Sequence, residues 1–183
     1  MKAHLFLIGY RGSGKSTLGR LLSDLLSLPL VDTDHLVEST AGKTIATIFA
    51  EAGEAGFRDL ESRAVESVAN QALPQIVSLG GGAILRESNR SLIAASGWSA
   101  WLTASPETLA SRIAGDPATQ ANRPALSKLG VLAEISPMLE QRQPYYSLVA
   151  NSTYNTDLLS LDELANRVAR DYQQWRSSTF QTD

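Results

Sequence analysis

Apolar residues along the chain fall into short unbroken runs and longer, spaced rows. Leu5–Ile8 is a continuous apolar run ending at Gly9, which predicts a strand buried on both faces. From Lys15 to Leu26, leucines recur at 18, 21, 22, 25 and 26, the spacing of one helix face, and Pro29 closes the segment. Leu30–Val31 predicts a second strand, and Asp34–Thr40 predicts a turn or two of helix stopped by Gly42. Thr44–Ala52 and Ala55–Asn70 predict helices separated by Gly53. Ile76–Leu79 predicts a third strand, closed by Gly80-Gly81-Gly82. Ser88–Ala95 predicts helix and Trp98–Leu102 a fourth strand. Another helix starts at Pro106, a favoured first-turn position, and runs to about Ala114. Gly115–Ser127 is polar, carries two prolines and reads as a mobile loop. Val131–Ala150 predicts a helix bent or interrupted by Pro137 and Pro144, and Thr153–Asn155 a short fifth strand. Leu161–Trp175 predicts an amphipathic final helix, with 176–183 as a polar tail.

Strands alternating with helices imply a parallel sheet with helices on both faces, an α/β/α arrangement. No repeat or linker divides the chain, and 183 residues suit one domain over 1–183. Hydrophobic residues at 43% and charged residues at 19% are ordinary for a globular chain. A net charge of −3 argues against nucleic acid, because phosphate backbones recruit basic surfaces. The absence of cysteine excludes disulfides, thiolate catalysis and cysteine zinc sites. The two histidines, His4 before the first strand and His35 beside the aspartates, argue against a His-rich metal site and are expected to be structural or solvated. The N-terminal apolar stretch is too short for a signal-peptide core or membrane span, so a cytoplasmic protein without membrane association is expected.

Gly9-Tyr10-Arg11-Gly12-Ser13-Gly14-Lys15-Ser16 fits G-x-x-x-x-G-K-[ST] between a predicted strand and a predicted helix. Such a phosphate loop turns consecutive backbone N–H groups toward phosphate oxygens, and the helix N-terminus adds partial positive charge. Lys15 is expected on the β- and γ-phosphates and Ser16 on Mg²⁺. The candidate ATP-binding residues are Gly12, Ser13, Gly14, Lys15, Ser16 and Thr17. Asp32-Thr33-Asp34 lies at the carboxyl end of the second strand, where open parallel sheets gather functional groups. Asp32 is expected near Mg²⁺, through water, and Asp34 on an acceptor hydroxyl; the competing role for both is turn and N-cap chemistry.

Three glycines in a row disfavour helix and strand. Gly80, Gly81 and Gly82 fit either close approach of backbone to a ligand or a tight turn. Arg123, in the polar loop, would reach the transferring phosphoryl group when that loop closes over ATP. Arginines on helices are ordinarily surface charges, and sequence alone does not aim Arg58 anywhere. Trp98, Trp101 and Trp175 have the spacing of core or helix-face residues, and Arg167, Arg170 and Arg176 that of a solvated face.

From Leu5 to about Val168 the chain resembles the shikimate kinase family. The resemblance rests on Gly9–Thr17, Asp32-Thr33-Asp34, Ala41–Ile45 with Ile48-Phe49, Gly53–Arg58 with Glu61, Leu79–Ala83, Arg123-Pro124 and Arg142–Tyr145. It implies a P-loop, nucleoside-monophosphate-kinase-like fold with five parallel strands, substrate-binding helices at about 34–61 and a lid at about 115–127. It implies transfer of the ATP γ-phosphoryl group to the 3-hydroxyl of shikimate, on the route to chorismate and the aromatic amino acids. It further implies that Asp34 contacts the shikimate hydroxyls and that Arg58 and Arg142 grip its carboxylate. Gly81 would give a backbone contact, Arg123 would be the lid arginine, and Arg112 would pack on adenine. A monomer taking ATP and Mg²⁺ is expected. The lid reads Arg-Pro-Ala-Leu where the family commonly has Arg-Pro-Leu-Leu, and 156–160 lacks a basic residue often found near the adenine.

The competing classes are a sibling small-molecule kinase such as a gluconate kinase, a nucleoside monophosphate kinase and a non-catalytic nucleotide-binding regulator. The paired arginines speak against the first, and the absence of recognisable base-recognition segments against the second. Retention of Lys15, Ser16, Asp34, Arg58, Arg123 and Arg142 speaks against the third. A GTPase is excluded by the lack of Asn-Lys-x-Asp.

Overall fold

The computed structural model describes residues 2–115 and 128–180. The predicted lid, with Arg123, therefore lies outside the described residues, except for Gly115. Five strands form one parallel sheet: β1 (His4–Ile8), β2 (Leu30–Asp32), β3 (Ile76–Ser78), β4 (Gly97–Thr103) and β5 (Ser152–Asn155), in the order β2-β3-β1-β4-β5. The helices are α1 (Lys15–Leu26), α2 (Thr33–Ala41), α3 (Ile45–Ala69), α4 (Glu87–Ser96), α5 (Pro106–Ala114), α6 (Lys128–Val149) and α7 (Leu161–Phe180). A single 3₁₀ turn, Ala83–Leu85, follows the glycine triplet.

β1 occupies the middle of the sheet, and all five of its residues are buried. Its pleat splits the core. Leu5 and Leu7 pack with Leu18, Leu22, Val168 and Tyr172 from α1 and α7. Phe6 and Ile8 pack on the other face with Val65, Ile93 and Tyr146 from α3, α4 and α6. Burial on both faces explains why this strand reads as an unbroken apolar run. Because β3 and β4 flank β1, chain connections leave it toward both sides, which opens a crevice beyond the carboxyl ends of the strands.

Three details differ from the sequence expectation. His4 belongs to β1 and is fully buried, and burial holds its imidazole below the usual pKa, so it sits there neutral. The final helix continues to Phe180, so most of the expected tail is helical; the rows Leu164, Ala165, Val168, Ala169 and Tyr172 anchor it, and no Gly or Pro stops it. The helix α6 is assigned without a break through Pro137 and Pro144. The expected break at Gly53 is present: its φ of 65° and ψ of −171° divide α3 into two segments. The exposed arginine face of α7 and the packed tryptophans are also as expected.

Candidate active site

The loop between β1 and α1 is built on left-handed glycines. Gly12 has φ 79° and Gly14 has φ 92°, conformations that an L side chain rarely adopts. Gly14 caps α1, so the exposed N–H groups of the first helical turn face the crevice. Lys15 is buried and donates to the carbonyls of Gly9 and Tyr10, each at 2.9 Å. Desolvation lowers its pKa to about 8, against the pull of Asp34 and Asp32, which favours the charged form.

Asp32 ends β2 and caps α2, accepting from the N–H groups of Asp34 at 3.0 Å and His35 at 3.4 Å. Its other oxygen accepts from the Ser16 hydroxyl at 2.9 Å. Capping and site chemistry therefore coexist in one carboxylate, because its two oxygens point different ways. Asp34 stands in the first turn of α2, and its pKa is pushed up to about 6, first by burial and then by the neighbouring Asp32 charge. Thr33, fully buried between them, accepts from the Gly80 N–H at 2.9 Å and so ties α2 to the glycine triplet.

The triplet leaves room for side chains. A Cβ on Gly80 would stand 2.5 Å from Asp34 Oδ1 and 2.9 Å from Glu61 Oε1, and one on Gly82 would collide with the Arg58 guanidinium. None of the three has a positive φ. Gly80 and Gly82 are glycines because the site's charged groups occupy the space, whereas a Cβ on Gly81 would make only ordinary contacts. Arg58 donates to buried Glu61 at 2.8 Å and to Glu54 at 3.1 Å. Burial pushes the Glu61 carboxyl above its ordinary pKa, while Arg58 and Arg142 pull it down. From α6, Arg142 Nη1 donates to the Gly81 carbonyl at 3.3 Å and its guanidinium lies over the Tyr10 ring, 5.4 Å from the centroid. Tyr146, whose phenol burial keeps protonated, donates to the same carbonyl at 2.6 Å.

Two adjoining cavities result. One of about 480 Å³ is lined by the phosphate loop, Asp32, Asp34 and Arg112. The other, about 160 Å³, is lined by Asp34, Arg58, Gly81, Gly82 and Arg142 among others, with Ile45, Phe49 and Phe57 as its apolar wall. Arg112 is held beside the larger cavity by bonds to the Thr156 hydroxyl at 2.9 Å and carbonyl at 3.2 Å. The Ser13 side chain is buried and lines a third cavity of about 200 Å³, which leaves its backbone N–H as the group it can offer a phosphate.

A family model described as shikimate kinase matches residues 11–173. The chain belongs to the shikimate kinase family. It is 47% identical to a shikimate kinase of Rhodopirellula baltica over 168 residues, covering 91% of this chain and 89% of that one. It is 39% identical over 171 residues to a shikimate kinase of Symbiobacterium thermophilum, covering 93% and 97%. The solved shikimate kinase of Acinetobacter baumannii, in complex with shikimate, superposes with a TM-score of 0.84 at 29% identity, covering 95% of this chain and 94% of that one. A gluconokinase of Sinorhizobium meliloti superposes with a TM-score of 0.64 at 16% identity, covering 99% and 98%, and shares the fold. Members of the shikimate kinase family are ATP-dependent phosphotransferases, and the five-stranded parallel sheet is their fold.

Tyr146 was not legible as a site residue, because it acts on the Gly81 carbonyl, 65 positions away in the chain. Thr33 and Glu61 stand in the motif segments, but their roles were not legible: Thr33 bonds Gly80, 47 positions on, and only the i,i+3 spacing of Arg58 and Glu61 on one helix carried a local hint.

Proposed function

We propose that this chain phosphorylates the 3-hydroxyl of shikimate with ATP, giving shikimate 3-phosphate and ADP. The observation that supports it most is the meeting of the two cavities at Asp34, with two arginines on the far side of the smaller one. The larger cavity suits the nucleotide phosphates, and Arg112 suits the adenine. In the smaller, Arg58 and Arg142 present planar forks to a carboxylate, which arginine binds in bidentate fashion. Asp34 then accepts a hydrogen bond from the hydroxyl and orients it for in-line attack. Lys15 exchanges the loop carbonyls for phosphate oxygens, and the buried site strengthens each of these interactions. Arg123, outside the described residues, completes the charge from the lid.

Ser16 and Asp32 set two oxygen donors side by side at the phosphate end, a set that suits Mg²⁺, which prefers oxygen ligands and keeps several waters. Among the described residues no cluster of three His, Cys, Asp or Glu side chains could cage a metal. When bound, Mg²⁺ would neutralise phosphate charge. We read the whole chain as one kinase domain. No described helix is long and apolar enough to cross a membrane.

The test is ADP release from MgATP with shikimate, gluconate, quinate or no acceptor. Release with shikimate far above the others supports the assignment. Equal release with gluconate, or none with any acceptor despite ATP binding, overturns it.

A further inference from the structure

We propose that Arg11 is a further catalytic residue, whose guanidinium meets the transferring phosphoryl group where the two cavities join. The inference rests on the phosphotransfer assignment above. Among the described residues, Arg11, Asp34 and Gly81 are the three that line both cavities. A phosphoryl group passing from nucleotide to acceptor must cross that junction, so groups common to both cavities face its path. Asp34 is an anion there and Gly81 has no side chain. Arg11 is the cation of the three, whereas Lys15 lines the larger cavity alone.

The side chain is held in place yet incompletely satisfied. Its guanidinium carbon lies 5.9 Å from the centroid of the Tyr10 ring. Its Nε is buried with no hydrogen-bond partner among the described residues. Its Nη2 stands 3.6 Å from Glu134 on α6, too far for a hydrogen bond. A buried donor without an acceptor is unfavourable, so the present contacts do not lock the side chain; with 29% of that side chain exposed, the guanidinium is open to a phosphate oxygen. The backbone is also positioned: a Cβ on Gly81 would approach the Arg11 nitrogen to 3.4 Å, so loop and triplet are in near contact. As the phosphoryl group loosens, negative charge spreads over its three equatorial oxygens. Lys15 faces those oxygens from the nucleotide side and Arg11 from the acceptor side.

A different role would be structural, with Arg11 merely latching α6 to the loop through Glu134. Arg11→Ala, Arg11→Lys and Glu134→Gln separate the two. Turnover is measured with both substrates saturating. Affinity is measured for ADP alone and for ADP with aluminium fluoride, a mimic of the transferring group. Arg11→Ala is expected to lower kcat roughly 100-fold or more, as removal of a transition-state cation does. ADP affinity should change less than about threefold, while the tightening given by aluminium fluoride is lost. Free guanidinium and the Lys variant should each restore part of kcat, and Glu134→Gln should keep it. The inference is overturned if Arg11→Ala keeps kcat within about threefold, if ADP and ADP–aluminium fluoride weaken equally, or if Glu134→Gln reproduces the loss. An unmutated enzyme silent with shikimate would instead count against the substrate assignment, and the aluminium fluoride comparison would still judge Arg11.

Discussion

Burial makes the ionised form of Asp34 costly to the fold. Its folded pKa of about 6 lies above the ordinary 3.8. Between those values the folded protein keeps a proton that the unfolded chain has lost, so stability falls as pH rises through the window. At neutral pH the ionised carboxylate is a net burden of at most about 3 kcal/mol, from roughly two pKa units at 1.36 kcal/mol each. Asp34→Asn is therefore expected to raise the melting temperature at pH 7 and lose that advantage near pH 4. It should also cut turnover far more than ATP affinity. Thermal melts at both pH values, beside initial rates, check this; a variant less stable at pH 7 would contradict it. The two arginines proposed to hold the acid should behave differently. Arg58 is hydrogen-bonded to buried Glu61, whereas Arg142 acts on Glu61 only through space and rests on a carbonyl and a ring. Both alanine variants are expected to raise KM for shikimate at least tenfold, roughly 1.4 kcal/mol or more. Arg58→Ala alone should also destabilise the fold by about 3 kcal/mol or more, since it strands a buried charge. Equal melting temperatures for the two variants would refute the distinction. The pairing of Arg58 was hidden in the sequence because an arginine on a helix points to solvent unless packing says otherwise.

Elements set the shape of the acceptor pocket. The break at Gly53 lets the first segment of α3 fold over the second, stacking Phe49 on Phe57 at 4.7 Å between centroids. No atom lies within 4 Å of a Cβ there, so the obstacle to substitution is the backbone conformation alone. Gly53→Ala is expected to cost about 1–3 kcal/mol of strain. Its kinetic effect should fall on KM for shikimate, with KM for ATP unchanged. A uniform rise in both would mean that the hinge does not act through the pocket. Glycine at this place was readable as a helix break. The glycine triplet was harder to read, because Gly80 and Gly82 answer to the volume of Asp34, Glu61 and Arg58, which arrive from other elements.

At the scale of the whole molecule, the crevice joins segments from residue 10 to residue 142, and ligands that bridge them should stabilise the fold together. A non-hydrolysable ATP analogue or shikimate at 100 times its Kd adds about 2.7 kcal/mol. For a chain of this size that is a rise of roughly 5–10 °C in melting temperature. The rise with both ligands should exceed the sum of the separate rises, because Arg11, Asp34 and Gly81 line both cavities. Calorimetric melts with each ligand and with both check this; a sum that is merely additive would show the cavities to be uncoupled.

The shape of the phosphate-loop motif was determined by sequence alone. Gly9–Thr17 is contiguous, and its loop geometry follows from glycine conformations and a helix start, which are local properties. The alternation of strands and helices likewise fixed the fold class, because buried parallel strands demand unbroken apolar runs. The resemblance named Asp34, Arg58, Gly81 and Arg142, but only the tertiary structure decided how the residues around the smaller cavity meet. Arg58 and Glu61 from α3, the triplet after β3, Arg142 and Tyr146 from α6 and Tyr10 from the loop meet only when the sheet orders them. Where a side chain points depends on the packing of its element, and that is a property of the assembled fold.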